Sequence, residues 1–134
     1  MFSHIEKIRV RYGETDKMGF VYYGNYALYY EIGRVEMLRK LGINYSELEN
    51  TGIGLPVVEF DIKFLKPAVY DDLISIITII KEKPGTRITF YYECTNEKNE
   101  TLNKGKVMLA FINLKTLRPV KCPQIIKDVF EKLN

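Results

Sequence analysis

Residues 24–42 predict a helix whose apolar side chains lie around most of its circumference. These side chains recur at near-helical spacing or fill the remaining faces: Tyr26, Leu28, Tyr30, Ile32, Val35, Met37 and Leu41. A helix that is apolar on most sides is normally buried. Gly33 indicates a close approach to a neighbouring backbone, and Gly42 stands where a left-handed glycine usually ends a helix. The fold therefore has to cover one long helix.

Much of the remaining chain has strand-like patterns. Apolar and polar residues alternate, or apolar residues run continuously, in five segments: 5–12, 58–64, 73–80, 88–94 and 106–114. Alternation is typical of half-buried strands, whereas the continuous apolar run at 73–80 predicts a strand covered on both faces. Residues 44–54 are rich in turn-forming residues, and Pro123 opens a final amphipathic helix.

The predicted order is one strand, one long helix, four strands and a terminal helix. Short connections between the last four strands favour an antiparallel meander. We therefore predict an α+β fold in which a curved antiparallel sheet of about five strands wraps around the long central helix, with a C-terminal helix added. A chain of 134 residues has the size of one ordinary domain, so residues 1–134 are predicted to form a single domain.

Charge and composition exclude several classes of protein. The formal net charge is +3, and the lysines and arginines are scattered, which argues against a protein that binds nucleic acid. No apolar stretch approaches the roughly 18 residues of a membrane-spanning helix, and the N-terminus lacks the apolar core of a signal peptide. We expect a cytoplasmic protein.

Cys94, Cys122 and the single histidine, His4, limit the chemistry. The cysteines form no CxxC or zinc pattern and are expected to be free and reduced. His4 is predicted to lie in the N-terminal arm, whereas a Ser-His-Asp triad or a histidine metal site needs an imidazole in a packed pocket. We therefore expect a site without metal.

A carboxylate precedes the long helix. Asp16 is predicted to lie in the connecting loop, and the first backbone N–H groups of the helix point towards the same loop, at Tyr23, Gly24 and Asn25. A helix N-terminus can stabilise a developing oxyanion, and Gly24 lets a substrate approach the backbone closely. A carboxylate beside such a helix end can hydrolyse an activated acyl ester. The alternative is a polar turn in which Thr15 or Asp16 bonds to nearby backbone.

An ordered set of residues extends from the first strand almost to the end of the chain. It consists of Tyr12, Asp16, Gly19, Val21-Tyr22-Tyr23, Asn25-Tyr26, Tyr30-Glu31, Arg34-Val35-Glu36-Met37-Leu38, residues 64–73 and Arg118-Pro119. In this order the residues resemble the pattern of the 4-hydroxybenzoyl-CoA thioesterase family of acyl-CoA thioesterases. The resemblance covers nearly the whole chain and implies the hotdog fold.

The resemblance also implies a reaction. Asp16 would act as nucleophile or general base on the thioester carbonyl, and the backbone N–H of Tyr23 would polarise the carbonyl oxygen. Many bacterial members have a histidine in place of Tyr23, while others, including the aryl-CoA type, have a tyrosine. The expected substrate is a short-chain or aryl acyl-CoA, hydrolysed without a cofactor beyond the CoA that it carries. Because the family's active sites lie at subunit interfaces, we expect a homodimer or homotetramer.

Further substrate contacts are expected around the helix start and from basic side chains that could bind the CoA phosphates. The predicted substrate-binding residues are Tyr22, Gly24, Asn25, Lys66 and Arg87.

Other roles and functions compete with these. Glu31 could act as a second acid, but an ion pair with Arg34 three residues later is the expected role. A dehydratase of the same fold needs a histidine near the helix entry, which His4 cannot easily occupy. An acyl-thioester- or CoA-binding protein without hydrolase activity and an acyl-carrier-protein thioesterase both stay open as alternatives.

Overall fold

The computed structural model describes residues 1–133. Its elements, in chain order, are β1 (Phe2–Arg9), a 3-10 turn (Tyr12–Glu14), α1 (Asn25–Lys40), α2 (Tyr45–Asn50), β2 (Ile53–Gly54), β3 (Val57–Phe64), β4 (Leu73–Ile80), β5 (Arg87–Thr95), β6 (Thr101–Ala110), β7 (Ile112–Asn113) and α3 (Gln124–Lys132). The predicted α+β class, with one long helix, five main strands and a C-terminal helix, is confirmed.

The five long strands form one antiparallel sheet in the order β1-β4-β5-β6-β3, and β2 pairs with β7 in a small second sheet. The predicted meander of the last four strands is therefore wrong for β3, which pairs with β6 at one edge of the sheet. Residues 65–72 carry the chain from this edge to β4, beside β1. The backbone N–H of Val21 bonds to the Ala68 carbonyl at 2.9 Å, so this connection lies against the loop before α1.

Helix α1 packs on the sheet with one side only. Its buried residues form one face: Tyr26, Tyr29, Tyr30, Gly33, Arg34, Met37 and Leu38. Leu28 and Ile32 lie on the opposite face and are exposed. The prediction that this helix is buried on most sides is therefore wrong for a single chain, because the sheet covers only one of its faces.

Burial in β4 alternates along the strand. Ile74, Ile76, Thr78 and Ile80 are buried, and the residues between them are half-buried. The prediction that this strand is covered on both faces is also wrong for a single chain. The even-numbered side chains point to the face that carries α1, and the odd-numbered ones point to the outer face of the sheet.

Several predicted boundaries shift. Strand β1 begins earlier than predicted, so that His4 lies within the sheet opposite Thr78 rather than in an arm. The segment 44–54 contains α2 as well as turns, since the Asn44 side chain accepts a hydrogen bond from the Ser46 N–H at 2.9 Å and caps this helix. Gly42 has φ +86°, which confirms the left-handed end of α1.

Helix α3 follows Pro123 and packs Ile126 and Phe130 into the core. None of the helices within residues 1–133 is long and apolar enough to cross a membrane.

Gly33 is a point of close approach between α1 and the sheet. A Cβ atom built there would lie 2.9 Å from the Ile76 side chain and closer still to the Thr78 hydroxyl, both on β4. The close approach predicted for this glycine is therefore made to side chains rather than to a backbone. Only a residue without Cβ lets the helix lie this close.

Replacing Gly33 with alanine should lower the free energy of unfolding by about 1–3 kcal/mol, because the added methyl group overpacks the contact between α1 and β4. Gly85→Ala is the matched control, since an added Cβ there meets nothing within 4 Å. Urea unfolding followed by circular dichroism measures both variants. Equal stability of the two would contradict the packing described here.

Candidate active site

A cavity of about 320 Å³ opens between the loop before α1, the first turn of α1 and the end of β3. Its lining is mostly apolar and aromatic and consists of Asp16, Met18, Phe20, Val21, Tyr23, Tyr26, Phe64, Leu65, Lys66 and Pro67. Three of the residues predicted from the sequence, Asp16, Tyr23 and Lys66, therefore line one cavity. Asp16 is the only carboxylate in this lining.

Asp16 begins a tight turn that returns at Phe20. The backbone N–H of Asp16 donates to the Phe20 carbonyl at 2.7 Å, and Thr15 pairs with Val21. The Oδ1 atom of Asp16 accepts hydrogen bonds from the N–H groups of Met18 at 2.9 Å and Phe20 at 3.2 Å. Within residues 1–133 the second oxygen, Oδ2, has no hydrogen-bond partner. The local turn considered as the alternative thus exists, and it fixes the carboxylate while leaving one oxygen open.

Two free donors lie immediately before α1, at the edge of this carboxylate's cavity. Among the described residues, the N–H groups of Tyr23 and Gly24 donate to no acceptor, as is usual at a helix N-terminus. The N–H of Asn25, which was predicted to be free as well, instead donates to the Tyr22 carbonyl at 2.9 Å. The partial positive charge of the helix end is therefore available at Tyr23 and Gly24.

Glu14 connects the loop to the helix. Its carbonyl accepts hydrogen bonds from the Tyr22 N–H at 2.9 Å and from the Asn25 Nδ2 at 2.8 Å. Its carboxylate Oε1 accepts from the Arg11 N–H at 2.8 Å and from the Tyr29 hydroxyl at 3.0 Å. Asn25 was predicted to bind substrate, but its side chain is hydrogen-bonded to the loop instead. The sequence pattern predicted no role for Glu14, although this residue lies only two positions before Asp16.

Tyr22 and Tyr23 lie side by side at the helix start, with ring centroids 4.7 Å apart, and both are exposed. A Cβ on Gly24 would come within 2.7 Å of the Tyr22 ring. In this structure the space left open by Gly24 is therefore filled by Tyr22, and the room predicted there for a substrate needs the Tyr22 ring to move.

The basic candidates are placed differently from one another. Lys66 lines the cavity, but its ammonium group forms an ion pair with Glu100. Arg87, at the start of β5, donates to the Met108 sulfur at 3.4 Å and lies outside the cavity lining. The structure therefore brings only Lys66 to the cavity within one chain.

Glu31 and Arg34 do not form the ion pair expected for them within residues 1–133. Arg34 is only 6% exposed and lies against Tyr45 and Tyr92. The helix turns the Arg34 guanidinium inwards, towards β5 and α2, whereas Glu31 is exposed.

The other residues with nucleophilic potential lie outside the cavity. Cys94 and Cys122 are free and buried, and burial raises the pKa of the Cys94 thiol to about 12 and that of the Cys122 thiol to about 11. Both thiols are therefore protonated at neutral pH and are poor nucleophiles. The His4 Nε2 lies 2.9 Å from the Glu6 carboxylate on β1, and neither residue lines the cavity.

Known proteins are similar to this chain in sequence. A family model for the thioesterase-like superfamily matches residues 10–130. YneP from Bacillus subtilis is 32% identical over 127 residues, which cover 93% of this chain and 92% of YneP. The acyl-CoA thioester hydrolase YbgC from Escherichia coli is 30% identical over 125 residues, which cover 93% of each chain.

A solved structure extends the likeness to the fold. The DHNA-CoA thioesterase from Staphylococcus aureus superposes with a TM-score of 0.93 at 32% identity, over 99% of this chain and 91% of that one. The resemblance found in the sequence and the predicted hotdog fold are both confirmed.

The turn at Asp16 allows a test that is independent of any activity. Asp16→Asn keeps an oxygen that accepts from Met18 and Phe20, so its free energy of unfolding should stay within about 0.5 kcal/mol of the wild type. Asp16→Ala removes the acceptor and should cost about 1–2 kcal/mol. Thermal and urea unfolding distinguish the two, and a loss equal in both variants would contradict the described turn.

Proposed function

Because this chain belongs to the thioesterase-like superfamily, we propose that it hydrolyses acyl-CoA thioesters and that Asp16 supplies the carboxylate of the reaction. The chain shares its enzyme class, thioester hydrolase, with its relatives. The role of Asp16 is supported by one observation above all: Asp16, which has one carboxylate oxygen without a hydrogen-bond partner among the described residues, lines the same cavity as the helix-start residue Tyr23.

Two routes are open to the Asp16 carboxylate. As a nucleophile, Oδ2 attacks the thioester carbonyl carbon, the C–S bond breaks, CoA leaves as the thiolate, and water then hydrolyses the mixed anhydride. As a general base, Oδ2 takes a proton from water while the water oxygen attacks the same carbon, the C–S bond then breaks, and the proton passes from Asp16 to the departing CoA sulfur. In both routes negative charge develops on the carbonyl oxygen. We assign its stabilisation to the unbonded N–H groups of Tyr23 and Gly24.

The cavity lining favours an aryl or short acyl group. Aromatic rings from Phe20, Tyr23, Tyr26 and Phe64 surround the space beside Asp16. Tyr26 and Phe64 lie with ring centroids 5.6 Å apart, so together they offer the edge and face contacts that aromatic groups prefer. We therefore propose aryl-CoA and short-chain acyl-CoA substrates. The alternative is that the acyl group is carried by acyl-carrier protein instead of CoA.

The reaction as proposed uses no cofactor beyond the CoA of the substrate. Carboxylate, water and backbone N–H groups supply each step. We place it in the cytoplasm, where reduced cysteines such as Cys94 and Cys122 are stable.

A second copy of the chain is part of this proposal. Strand β3 is an edge of the main sheet, and it is exposed along nearly its whole length. Its apolar side chains Val57, Val58, Phe60 and Phe64 are each 42–49% exposed. An exposed edge strand of eight residues, five of them apolar, is a template for pairing with an identical strand. Because Phe64 also lines the cavity, a partner bound along β3 would cover the open side of the site.

Asp16→Asn should reduce kcat by about 100-fold or more, because the amide can neither attack the carbonyl nor take a proton from water. The affinity for CoA should stay unchanged, since the turn that presents residue 16 is preserved. The measurement is thiol release from a panel of aryl, short-chain and long-chain acyl-CoA substrates, together with calorimetric binding of CoA.

Asp128→Asn, on the exposed face of α3, is the control for loss of a surface carboxylate and should leave turnover unchanged. Wild-type turnover in the Asp16→Asn variant would remove Asp16 from the reaction. A wild-type protein that binds CoA but hydrolyses no member of the panel would favour the binding-protein alternative.

The paired substitution Val57→Asp with Val58→Asp should yield monomers with strongly reduced turnover, because like charges would face one another across the proposed strand pair. Light scattering on a sizing column reports the mass, and the assay above reports activity. Leu117→Asp is the control for adding a charge at an exposed apolar residue away from β3. A wild-type protein that is strictly monomeric and active would contradict the proposed dimer.

A further inference from the structure

We propose that Glu14 and Tyr29 are positioning residues, which set the Asp16 turn against the start of α1; this inference rests on the proposed function. Glu14 receives hydrogen bonds from the loop on one side and from the helix on the other, through its carbonyl and through its carboxylate. It does not line the cavity that contains Asp16. The route that the hydrogen bonds give it to the reaction is the loop that it shares with Asp16.

Tyr29 gives Glu14 a fixed point on the helix. The Tyr29 side chain is 1% exposed and packs edge-to-face on the Tyr26 ring, with the centroids 5.4 Å apart. A ring packed in this way has little freedom to move, and its hydroxyl lies 3.0 Å from the Glu14 carboxylate. Burial, and then the hydrogen bond to Glu14, raise the pKa of Tyr29, so the hydroxyl stays a donor at neutral pH.

The connection from Glu14 to Asp16 is short. Thr15 between them pairs with Val21, and the Asp16 N–H donates to the Phe20 carbonyl at 2.7 Å. Within the described residues, both side-chain hydrogen bonds from α1 to this loop end on Glu14, one from Asn25 and one from Tyr29. The distance between the Asp16 carboxylate and the free N–H groups at the helix start is therefore set largely at Glu14.

A purely local role for Glu14 would look different. Its Oε1 also accepts from the Arg11 N–H, which closes the 3-10 turn Tyr12–Glu14. If Glu14 did no more than this, its loss would lower stability and would affect turnover only in proportion to the unfolded fraction. A positioning residue instead lowers kcat in fully folded protein, since a displacement of about 1 Å in a reacting group can cost about 100-fold in rate.

The experiment compares Glu14→Ala, Glu14→Gln and Tyr29→Phe with the wild type, on the best substrate of the panel and well below the melting temperature of each variant. We expect Glu14→Ala to lose about 10- to 100-fold in kcat with KM within about threefold. Glu14→Gln should recover kcat to within about threefold of the wild type, because the amide oxygen still accepts both hydrogen bonds. Tyr29→Phe removes one hydroxyl from a packed ring and should lower kcat by a smaller factor than Glu14→Ala does.

The same Glu14→Ala change is then made in the Asp16→Glu variant, whose carboxylate is already displaced by a methylene group. A positioning role predicts little further loss of kcat there, whereas independent effects would multiply. Tyr91→Phe is the matched control, since the Tyr91 hydroxyl donates to the Glu82 carboxylate at 2.6 Å on the outer surface, and it should leave kcat unchanged.

The outcomes separate the two proposals. The positioning role is overturned if Glu14→Ala and Tyr29→Phe have wild-type kcat, or if the loss in Glu14→Ala multiplies with the loss in Asp16→Glu. A loss of turnover in Asp16→Asn would still support the proposed function in either case. If Glu14→Ala does not fold, Tyr29→Phe decides the question in its place: a lowered kcat supports the positioning role, and wild-type kcat overturns it. Full turnover in Asp16→Asn overturns both proposals.

Discussion

Helix α1 lies on the sheet through tyrosine rings rather than through aliphatic side chains alone. The Tyr30 ring stacks on Tyr92 of β5 with centroids 4.1 Å apart and an interplanar angle of 4°. The Tyr30 hydroxyl donates to the Asn103 side chain on β6, and burial raises the pKa of Tyr30, which keeps it a donor. A buried hydroxyl without a partner costs about 1–3 kcal/mol, so the hydrogen bond to Asn103 favours the one orientation of the helix that satisfies Tyr30. The tyrosines therefore fix the rotation of the helix as well as its burial.

That rotation determines what the first turn of α1 can do. With Tyr26, Tyr29 and Tyr30 directed inwards, the helix start faces the loop before it, and Tyr29 reaches Glu14. The loop in turn holds Asp16 by backbone bonds to Phe20. The cavity between them arises because helix, loop and strand end are fixed by separate sets of contacts. An aliphatic helix face would bury similar area without specifying this orientation.

The sequence was sufficient for the local features of this arrangement. The long helix, the Gly42 terminus and the strand character of β3, β4 and β5 follow from periodicity, and Asp16 and Tyr23 share a cavity as the loop-to-helix spacing predicts. The strand order was not predictable in this way. A connection of eight residues, 65–72, is short enough to join two neighbouring strands. The hydrogen bond from the Val21 N–H to Ala68, which holds this connection against the loop before α1, leaves no periodic signal in the sequence. A role for Glu14 was not predicted for the same reason, because three of its four hydrogen bonds come from residues beyond its own turn, namely Tyr22, Asn25 and Tyr29.

The errors about burial share one physical origin. Periodicity records how apolar a position is, whereas burial in one chain records only what that chain itself covers. Leu28 and Ile32 on α1 and the apolar edge of β3 are exposed in the single chain, although the sequence predicted burial for the helix. Exposed apolar surface on this scale is typical of a protein interface. A second chain that covered β3 would bury this apolar edge. Because Phe64 also lines the cavity, the same contact would close the open side of the site.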